Sequence, residues 1–238
     1  MDAIKKLYLI PVDLGFSPEE GIYSKSQISI IHGIRHFITE SASFTRKYLK
    51  KYGHPLHLND IDILEFNEHN RNQAHTMLEV KKMLSSNQNI GLMSEAGMPC
   101  VADPGFEVVR MAHEMNIEVI PMHGPSSIML ALMASGMQGQ RFIFHGYLPA
   151  KTEERKRKLI DINIKSRKDG FTHIFMEAPY RSNQIFNDII NVFDNNANVC
   201  VACEISTEAE FIKTKKVGQW KNALPDLHKK RCIFCVSA

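Results

Sequence analysis

Short apolar runs alternate with amphipathic segments along the first 137 residues of the chain. Each apolar run has the length of a single buried strand, and the segments between the runs have the spacing of amphipathic helices. The pattern predicts strands at 7–12, 61–66, 89–93 and 117–121, a short strand ending near residue 40, and helices at 25–37, 45–51, 72–85, 105–116 and 126–135. Strands that alternate with helices in this way form a mostly parallel sheet.

A Gly- and Gln-rich break, MASGMQGQ, interrupts this pattern near Gln138. Beyond it the sequence predicts strands at 141–147, 171–177, 198–205, 210–217 and 231–236, and helices at 151–170, 182–193 and 218–223. We therefore expect two α/β domains, residues 1–137 with a mostly parallel sheet and residues 138–238 with a mixed sheet. A ligand cleft is expected between them, because domain interfaces are favoured ligand sites.

Two Gly/Pro loops follow predicted strands of the first domain. One is SEAGMPCVADPG at 94–105, and the other is the Gly124-Pro125 turn of HGPSS. Gly97 allows backbone angles that other residues avoid, and Asp103 is expected to be the N-cap of the next helix. Ligands bind where the parallel strands of α/β sheets end, although ordinary strand-to-helix turns have a similar composition. Neither loop matches G-x-G-x-x-G or the P-loop pattern, so a Rossmann dinucleotide site and a P-loop are both unsupported.

Composition and charge add two expectations. The chain is 44% apolar and 23% charged, which is typical of a soluble globular protein. No apolar run is long enough to span a bilayer, and no cleavage site follows the first run, so we expect a cytoplasmic protein without a membrane segment. The net charge of +3 is mild, but residues 151–170 carry eight Lys or Arg against four Asp or Glu. This segment is either a solvated helix face or a surface for an anionic partner.

The five cysteines include two C-x-x-C pairs, Cys200/Cys203 and Cys232/Cys235, which suggest a zinc site. Both pairs lie in predicted strands, where residues three apart point to opposite faces, and no turn-forming residue separates either pair. We therefore expect no metal site and interpret the cysteines as buried free thiols.

Four motifs, in this order along the chain, carry a family resemblance: SEAGMPCVADPG, HGPSS, FHGYLPAKTEERKRKL and MEAPYR. Together they resemble the tetrapyrrole (corrin/porphyrin) methylase superfamily. The first loop motif and the segment 146–159 are most similar to its branch of bacterial small-subunit ribosomal RNA cytidine 2′-O-methyltransferases. The resemblance implies a homodimeric enzyme that binds S-adenosylmethionine (AdoMet) between two α/β domains and methylates ribosomal RNA or the small ribosomal subunit.

The resemblance also implies roles for individual residues. The AdoMet contacts would be Leu14, Gly97, Met98, Pro99, Val101, Ala102, Ser126, Ser127 and Met176. The catalytic candidates would be Glu40, Arg46, Glu68, His69, Glu95, Glu177 and Arg181. The candidate contacts to RNA phosphates are Lys151, Arg155 and Arg157. Methyl transfer is an in-line displacement that depends mainly on positioning, and a carboxylate or imidazole could take the proton of a ribose hydroxyl.

The sequence departs from that branch at three places. PVDLGFSPEEG stands where the branch has a Gly-Asn-Leu loop after the first strand. TESASFTRK keeps Glu40 and Arg46 at a longer spacing, and NEHNRN keeps Glu68 and His69. These departures affect the substrate prediction more than the prediction of the methyl donor.

Some candidates also have a structural interpretation. His69 fits a helix cap or a polar network, and Glu177 with Arg181 fits an ion pair that fixes a turn. The leading hypothesis is AdoMet-dependent methylation of a ribose 2′-hydroxyl in small-subunit ribosomal RNA. The alternatives are a methyltransferase of the same fold with a small-molecule acceptor such as a tetrapyrrole, and a non-catalytic AdoMet-binding protein.

Overall fold

The computed structural model describes residues 5–15 and 21–238. The chain forms two compact units, one ending at Ser126 and the other running from Ser127 to Ala238. None of the helices in the described ranges is long and apolar enough to cross a membrane.

The first unit is built on a five-stranded sheet with strand order β3-β2-β4-β1-β5. Every neighbouring pair of strands in this sheet is parallel. Its elements are β1 Lys6–Ile10, α1 Lys25–His32, β2 His36–Thr39, α2 Ala42–Lys51, β3 Asp62–Glu65, α3 Ala74–Ser85, β4 Ile90–Met93, α4 Gly105–Glu114 and β5 Glu118–Pro121. Strands and helices alternate because each parallel pair of strands needs a crossover connection.

Both faces of this sheet are covered by apolar side chains. Phe37 and Ile38 are consecutive in β2, yet Phe37 packs in one core with Ile10, and Ile38 packs in the other with Leu92. Successive side chains of a strand point to opposite faces, so a strand covered on both sides is apolar throughout. This burial fixes the register of the strands, and with it the edge at which their following loops emerge.

The second unit contains a mixed five-stranded sheet with strand order β6-β7-β10-β8-β9. β6 pairs with β7 in parallel, and the other neighbours are antiparallel. Its elements are α5 Ser127–Ser135, β6 Phe142–Tyr147, α6 Thr152–Asp169, β7 Thr172–Glu177, α7 Ser182–Val192, β8 Asn198–Cys203, β9 Phe211–Lys216, α8 Val217–Trp220 and β10 Cys232–Ser237. A parallel first sheet and a mixed second sheet confirm the predicted fold class.

Helix α5 belongs to the second unit. The sequence places the boundary near Gln138, whereas the compact units divide between Ser126 and Ser127. α5 packs on β8, β9 and β10, and the carbonyl of Ser135 accepts a hydrogen bond from Thr214 Oγ1 at 2.7 Å. An apolar helix such as α5 has to be buried against another element.

The helix predicted at 25–37 is shorter in the structure. α1 ends at His32, where the N–H of Gly33 bonds to the carbonyls of Ser29 and Ile30. Of the remaining residues of the predicted helix, 33–35 connect α1 to β2, and His36 and Phe37 belong to β2. A glycine after the last apolar turn is a common helix end, so Gly33 is the residue that marks this boundary.

Candidate functional site

Three loops of the first unit meet where β1, β4 and β5 end. β1 lies between β4 and β5, so the loops that follow these three parallel strands leave at one edge of the sheet. The first two loops are bonded together: Val12 N donates to Gly97 O at 2.8 Å, and Gly97 N donates to Val12 O at 3.0 Å. A Cβ on Gly124, in the third loop, would overlap the ring of Pro11, so the third loop packs against the first.

The loop after β4 has an unusual backbone. The φ angles of Gly97, Cys100 and Ala102 are 70°, 70° and 65°, in the left-handed region that non-glycine residues rarely adopt. The Asp103 carboxylate holds this turn, because it accepts hydrogen bonds from Cys100 N at 2.8 Å and Gly105 N at 2.7 Å. Strained residues persist only where the surroundings hold them firmly, and they cluster at ligand sites.

Gly97 lies next to residues of both other loops. A Cβ built on it would lie 3.5 Å from Leu14 Cδ2 and 3.7 Å from the carbonyl oxygen of Pro125. Leu14 is buried, and Ser126 follows Pro125 as the last residue of the first unit. Ser127, the next predicted AdoMet contact, begins α5. The structure therefore brings Leu14 and Gly97 together beside the HGPSS turn.

The loop after β4 presents apolar side chains and no positively charged ones. It contains no lysine or arginine, and the side chains of Met98 and Val101 are 36% and 45% exposed. Ala102 is exposed as well, whereas Pro99 is turned inward. The loop thus offers apolar side chains and backbone groups to a ligand, and it has no cation that would attract a phosphate.

Carboxylates that follow β2, β3 and β4 lie at the same edge of the sheet, and their negative charges act on the pKa of Glu40. Glu40 Oε2 accepts a hydrogen bond from Glu95 N at 3.0 Å, which ties the end of β2 to the loop after β4. Burial raises the pKa of the Glu40 carboxyl, and the negative charges of Asp103, Glu95 and Glu68 raise it further. Burial also raises the pKa of Asp103. Glu40 therefore lies in a concentrated negative field.

The predicted residues Glu68 and His69 lie in the turn that follows β3. Asn70 Oδ1 accepts a hydrogen bond from Asn67 N at 2.8 Å, and Asn67 Nδ2 donates to the carbonyl of Glu40 at 3.1 Å. The turn is thereby attached to the end of β2. The side chain of His69 is exposed, and its backbone N–H donates to Asn67 Oδ1 at 3.1 Å.

Glu177 and Arg181 form an ion pair at the end of β7 in the second unit. Glu177 Oε1 accepts hydrogen bonds from Arg181 Nε at 2.9 Å, from Arg181 Nη2 at 2.6 Å and from Ala178 N at 2.7 Å. Arg181 also donates to the carbonyl of Leu148 at 3.1 Å. The pair therefore fixes the EAPYR turn, as the structural interpretation predicts. Met176, the residue before Glu177, is half-buried in β7.

The family described as Tetrapyrrole (Corrin/Porphyrin) Methylases matches residues 35–220. This range includes the turns that carry Glu40 and Glu68, the loop after β4 and the EAPYR turn. The chain belongs to the tetrapyrrole methylase family. It is a methyltransferase of the AdoMet-dependent kind, which confirms the family and the function class predicted from the motifs.

Two curated relatives of this tetrapyrrole methylase are proteins named ribosomal RNA small subunit methyltransferase I. The one from Vibrio cholerae serotype O1 is 30% identical over 207 residues, which cover 87% of this chain and 67% of the relative. The one from Escherichia coli O157:H7 is 30% identical over 214 residues, which cover 90% of this chain and 70% of the relative. Among solved structures, the methyltransferase CobJ aligns with a TM-score of 0.64 at 13% identity, over 98% of this chain and 94% of CobJ, and shares the fold.

Arg46 lies apart from the other predicted catalytic residues of this tetrapyrrole methylase. It lines a polar cavity of about 670 Å³ with residues that include Arg35, Asp62 and Gln88. Those three residues lie just before or at the start of β2, β3 and β4, at the opposite edge of the sheet from Glu40. Helix α2 runs back along the sheet from the end of β2 and carries Arg46 away from that end.

The burial of Arg155 corrects the prediction that it contacts RNA phosphates. Its side chain is fully buried, with Nε bonded to Asp188 Oδ2 at 2.7 Å and Nη1 bonded to the carbonyl of Ala150 at 2.8 Å. The other two candidates are exposed: Lys151 forms a surface ion pair with Glu154, and Arg157 lies on the outer face of α6. A charge run does not show which of its members turns inward.

The residues that hold the loop after β1 carry no recognised motif. Asp13 N donates to Tyr48 Oη at 3.1 Å, and Asp13 Oδ2 pairs with Lys51 Nζ at 3.0 Å. The ring of Tyr48 packs on Phe44 and Tyr52, and Lys51 Nζ lies 5.7 Å from the centre of the Tyr52 ring. The signal available in the sequence is the repeat of aromatic residues every four positions from Phe44 to Tyr52, along α2 and its C-cap, which places them on one face.

Proposed function

We propose that this methyltransferase transfers the methyl group of AdoMet to a ribose 2′-hydroxyl of small-subunit ribosomal RNA. The observation that carries the proposal is the meeting of three loops around Gly97 at the carboxyl edge of the parallel sheet. The names of the curated relatives support ribosomal RNA as the substrate. The loop motif and the segment 146–159, which resemble those of cytidine 2′-O-methyltransferases, support the ribose hydroxyl as the acceptor.

The three loops that meet at Gly97, called the donor loops, have the charge and the apolar surface that AdoMet requires. Its sulfonium carries a positive charge, which a loop without cations tolerates and the carboxylates near Glu40 attract. Leu14, Met98 and Val101 offer apolar surface to its uncharged parts. When bound, AdoMet supplies an electrophilic methyl group. The proposed contacts are Leu14, Gly97, Met98, Pro99, Val101, Ala102 and Ser126, with Ser127 and Met176 of the second unit as further predicted contacts.

The chemistry requires the acceptor oxygen to lie in line with the bond that breaks, about 3 to 3.5 Å from the methyl carbon. We assign proton acceptance from the hydroxyl to Glu40, because its raised pKa makes it a stronger base than a free carboxylate. Glu68 and His69, in the neighbouring turn, are the alternative acceptors. Glu177 and Arg181 are proposed as positioning residues, since both are engaged in holding the EAPYR turn.

RNA binding is proposed to use exposed cations of α6. Lys151 and Arg157 are exposed, and so is Lys156, which precedes Arg157 in α6. Phosphate contacts of this kind weaken steeply as salt is added. The family resemblance further supports a homodimer that acts in the cytoplasm.

The experiment is a calorimetric titration with AdoMet, followed by transfer of labelled methyl groups to purified small-subunit ribosomal RNA and to small subunits that lack the modification. Alkaline cleavage then locates the product, because a methylated 2′-hydroxyl protects one phosphodiester from alkali. AdoMet binding with one protected nucleotide is the expected result. Transfer to a base, or to a tetrapyrrole but not to RNA, would contradict the proposed acceptor, and no AdoMet binding would contradict the proposed donor.

A Glu40→Gln variant tests the assigned base. The amide oxygen can still accept the hydrogen bond from Glu95 N, but the side chain can no longer take a proton, so we expect the transfer rate at saturating AdoMet to fall about 100-fold while the protein still binds AdoMet. Glu114→Gln, at the exposed end of α4, is the matched control and should leave the rate unchanged. An unchanged rate in Glu40→Gln would exclude Glu40 as the base.

A further inference from the structure

Two buried thiols of the second unit lie face to face. Cys203 at the end of β8 and Cys232 at the start of β10 are register partners, and their Sγ atoms are 2.6 Å apart. The two residues are 0% and 3% exposed. Neither takes part in the contacts proposed for AdoMet, proton transfer or RNA.

The position of this pair in the strand ladder explains the contact. Just beyond the end of β8, Glu204 N donates to the carbonyl of Arg231 at 3.0 Å, and Arg231 N donates to Glu204 Oε1 at 2.6 Å. The Glu204–Arg231 position therefore corresponds to a hydrogen-bonded position of the antiparallel ladder. The next pair, Cys203 and Cys232, is then a non-hydrogen-bonded pair, in which Cα atoms are about 4.5 Å apart and side chains are closer. Disulfides span Cα separations of about 4.4 to 6.8 Å, so a bond here requires no shift of the backbone.

The same two strands contain an internal comparison. Cys200 and Cys235 are also register partners in β8 and β10. They lie three residues further along the ladder, so they face the opposite side of the sheet and occupy a hydrogen-bonded position with a Cα separation of about 5.5 Å. The ladder therefore places one cysteine pair in close contact and the other at a wider spacing.

We propose that Cys203 and Cys232 are a modification site, at which hydrogen peroxide converts the two thiols into a reversible disulfide. The Cys232 thiolate attacks one peroxide oxygen, the O–O bond breaks, and the departing hydroxide takes up a proton to form water. The sulfur of Cys203 then attacks the sulfenic acid on Cys232, the S–O bond breaks, and the hydroxide leaves as water with the proton from Cys203. The thiols lose two electrons and two protons in total, and peroxide is reduced to two molecules of water.

The surroundings of the pair assign the roles within it. The hydrogen bond from Cys203 lowers the pKa of Cys232, although burial opposes this effect. The same hydrogen bond, together with burial, raises the pKa of Cys203. Cys232 is therefore the sulfur that attacks peroxide. Because both thiols are buried, a small uncharged oxidant reaches them more readily than glutathione disulfide does.

The bond would join β8 to β10 at the end of the sheet where β10 also pairs with β7. Cys232 is the register partner of Glu177 in β7 as well as of Cys203 in β8. Cys232 Sγ also contacts the carbonyl of Lys230 at 3.4 Å, and that carbonyl accepts a hydrogen bond from Ser182 Oγ at 2.7 Å. Oxidation would therefore stiffen the strands directly beside the EAPYR turn.

The test exposes the full-length protein to hydrogen peroxide, blocks the remaining thiols by alkylation under denaturing conditions, and maps peptides without reduction. The free thiol count should fall from five to three, with a peptide cross-link between Cys203 and Cys232. Dithiothreitol should restore five thiols. The thermal midpoint of the oxidised protein should rise by a few degrees, because the cross-link restrains the unfolded chain.

Cysteine variants distinguish a disulfide between Cys203 and Cys232 from one between other cysteines. Cys203→Ser should keep its four remaining thiols after peroxide treatment, whereas the matched double variant Cys200→Ser with Cys235→Ala should still lose two. Peptide mapping of the unsubstituted protein decides the question even if a variant fails to fold. A cross-link between Cys200 and Cys235, a cross-link between two chains, or oxidation of Cys232 without any cross-link would each overturn the proposal.

Discussion

Gly97 has a φ of 70° and bonds to Val12 through both its N–H and its carbonyl. The space around it would admit a small side chain, since the nearest atom to a Cβ is 3.5 Å away, so the obstacle to substitution is conformational. A left-handed φ costs other residues about 1 to 2 kcal/mol. We predict that Gly97→Val reshapes the donor loop and weakens AdoMet binding about tenfold or more without unfolding the protein, as measured by calorimetry and circular dichroism.

Gly139 provides the matched control for this substitution. A Cβ on Gly139 has no atom within 4 Å, and its φ is outside the left-handed region. Gly139→Val should therefore keep the AdoMet affinity of the unsubstituted protein. Equal loss in both variants, or full affinity in Gly97→Val, would contradict the assignment of the donor loop.

The histidine pair of β6 and β7 gives stability a dependence on pH. His145 Nε2 and His173 Nδ1 are 2.8 Å apart, and the rings are stacked. Burial lowers the pKa of His145 to about 4, helped by the positive charges of His173, Lys158 and Lys165, while Asp161 opposes the shift. Burial also lowers the pKa of His173, against the pull of Asp169.

The sign of this dependence follows from proton binding. Unfolded histidines take up protons below about pH 6.5, whereas folded His145 takes one up only near pH 4. The stability that the neutral pair contributes is therefore complete above about pH 6.5 and is lost as the pH falls towards 4. We predict a lower thermal midpoint at pH 5 than at pH 7. His145→Gln should reduce this difference, whereas His113→Gln, an exposed control on α4, should leave it unchanged.

At the scale of elements, α6 is anchored by a buried charge. Arg155, Leu159 and Ile162 form its inward stripe, and Arg155 pairs there with Asp188 of α7. Removal of one partner of a buried pair leaves the other charge uncompensated, which costs about 3 to 5 kcal/mol. We predict a markedly lower thermal midpoint for Arg155→Ala. The matched control is Lys156→Ala, one position along on the exposed face, which should change stability by about 0.5 kcal/mol or less.

The inward position of Arg155 also shows what the sequence could and could not predict. The spacing of Arg155, Leu159 and Ile162 is that of one helix face, so helical periodicity contains the signal for burial, whereas the charge count alone suggests a surface. Asp103 is a partial success of the same kind. The sequence predicts it as the N-cap of α4, and its carboxylate does bond the N–H of Gly105, although Pro104 occupies the cap position.

The order of strands and helices could be predicted from the sequence, because apolar residues are spaced differently in strands and in helices. The sequence could not predict which sheet α5 packs on, because an apolar helix can pack on either sheet and only long-range contacts decide between the two sheets. The same reason applies to the candidate site. Motifs predict Gly97, Glu40 and Glu68 as site residues, and these three follow strands at one edge of the sheet. The position of Arg46 at the opposite edge depends on the direction in which α2 runs.

At the scale of the whole molecule, the position of α5 predicts how the chain can be divided. α5 covers the second sheet through its contacts with β8, β9 and β10. A fragment of residues 127–238 should therefore be soluble and well folded, whereas residues 138–238 should expose apolar sheet surface. Circular dichroism and binding of a hydrophobic dye compare the two fragments. Equal behaviour would favour a boundary near Gln138 instead.

The paired hydrogen bonds between Val12 and Gly97 join two loops that are far apart in the sequence. An insertion or deletion in either loop would move its bonding partner out of register, so a change in the length of one loop has to be matched in the other. For protein engineering, a loop grafted from a relative after β1 should be transplanted together with that relative's loop after β4. In comparisons between relatives, the lengths of the two loops are expected to change together.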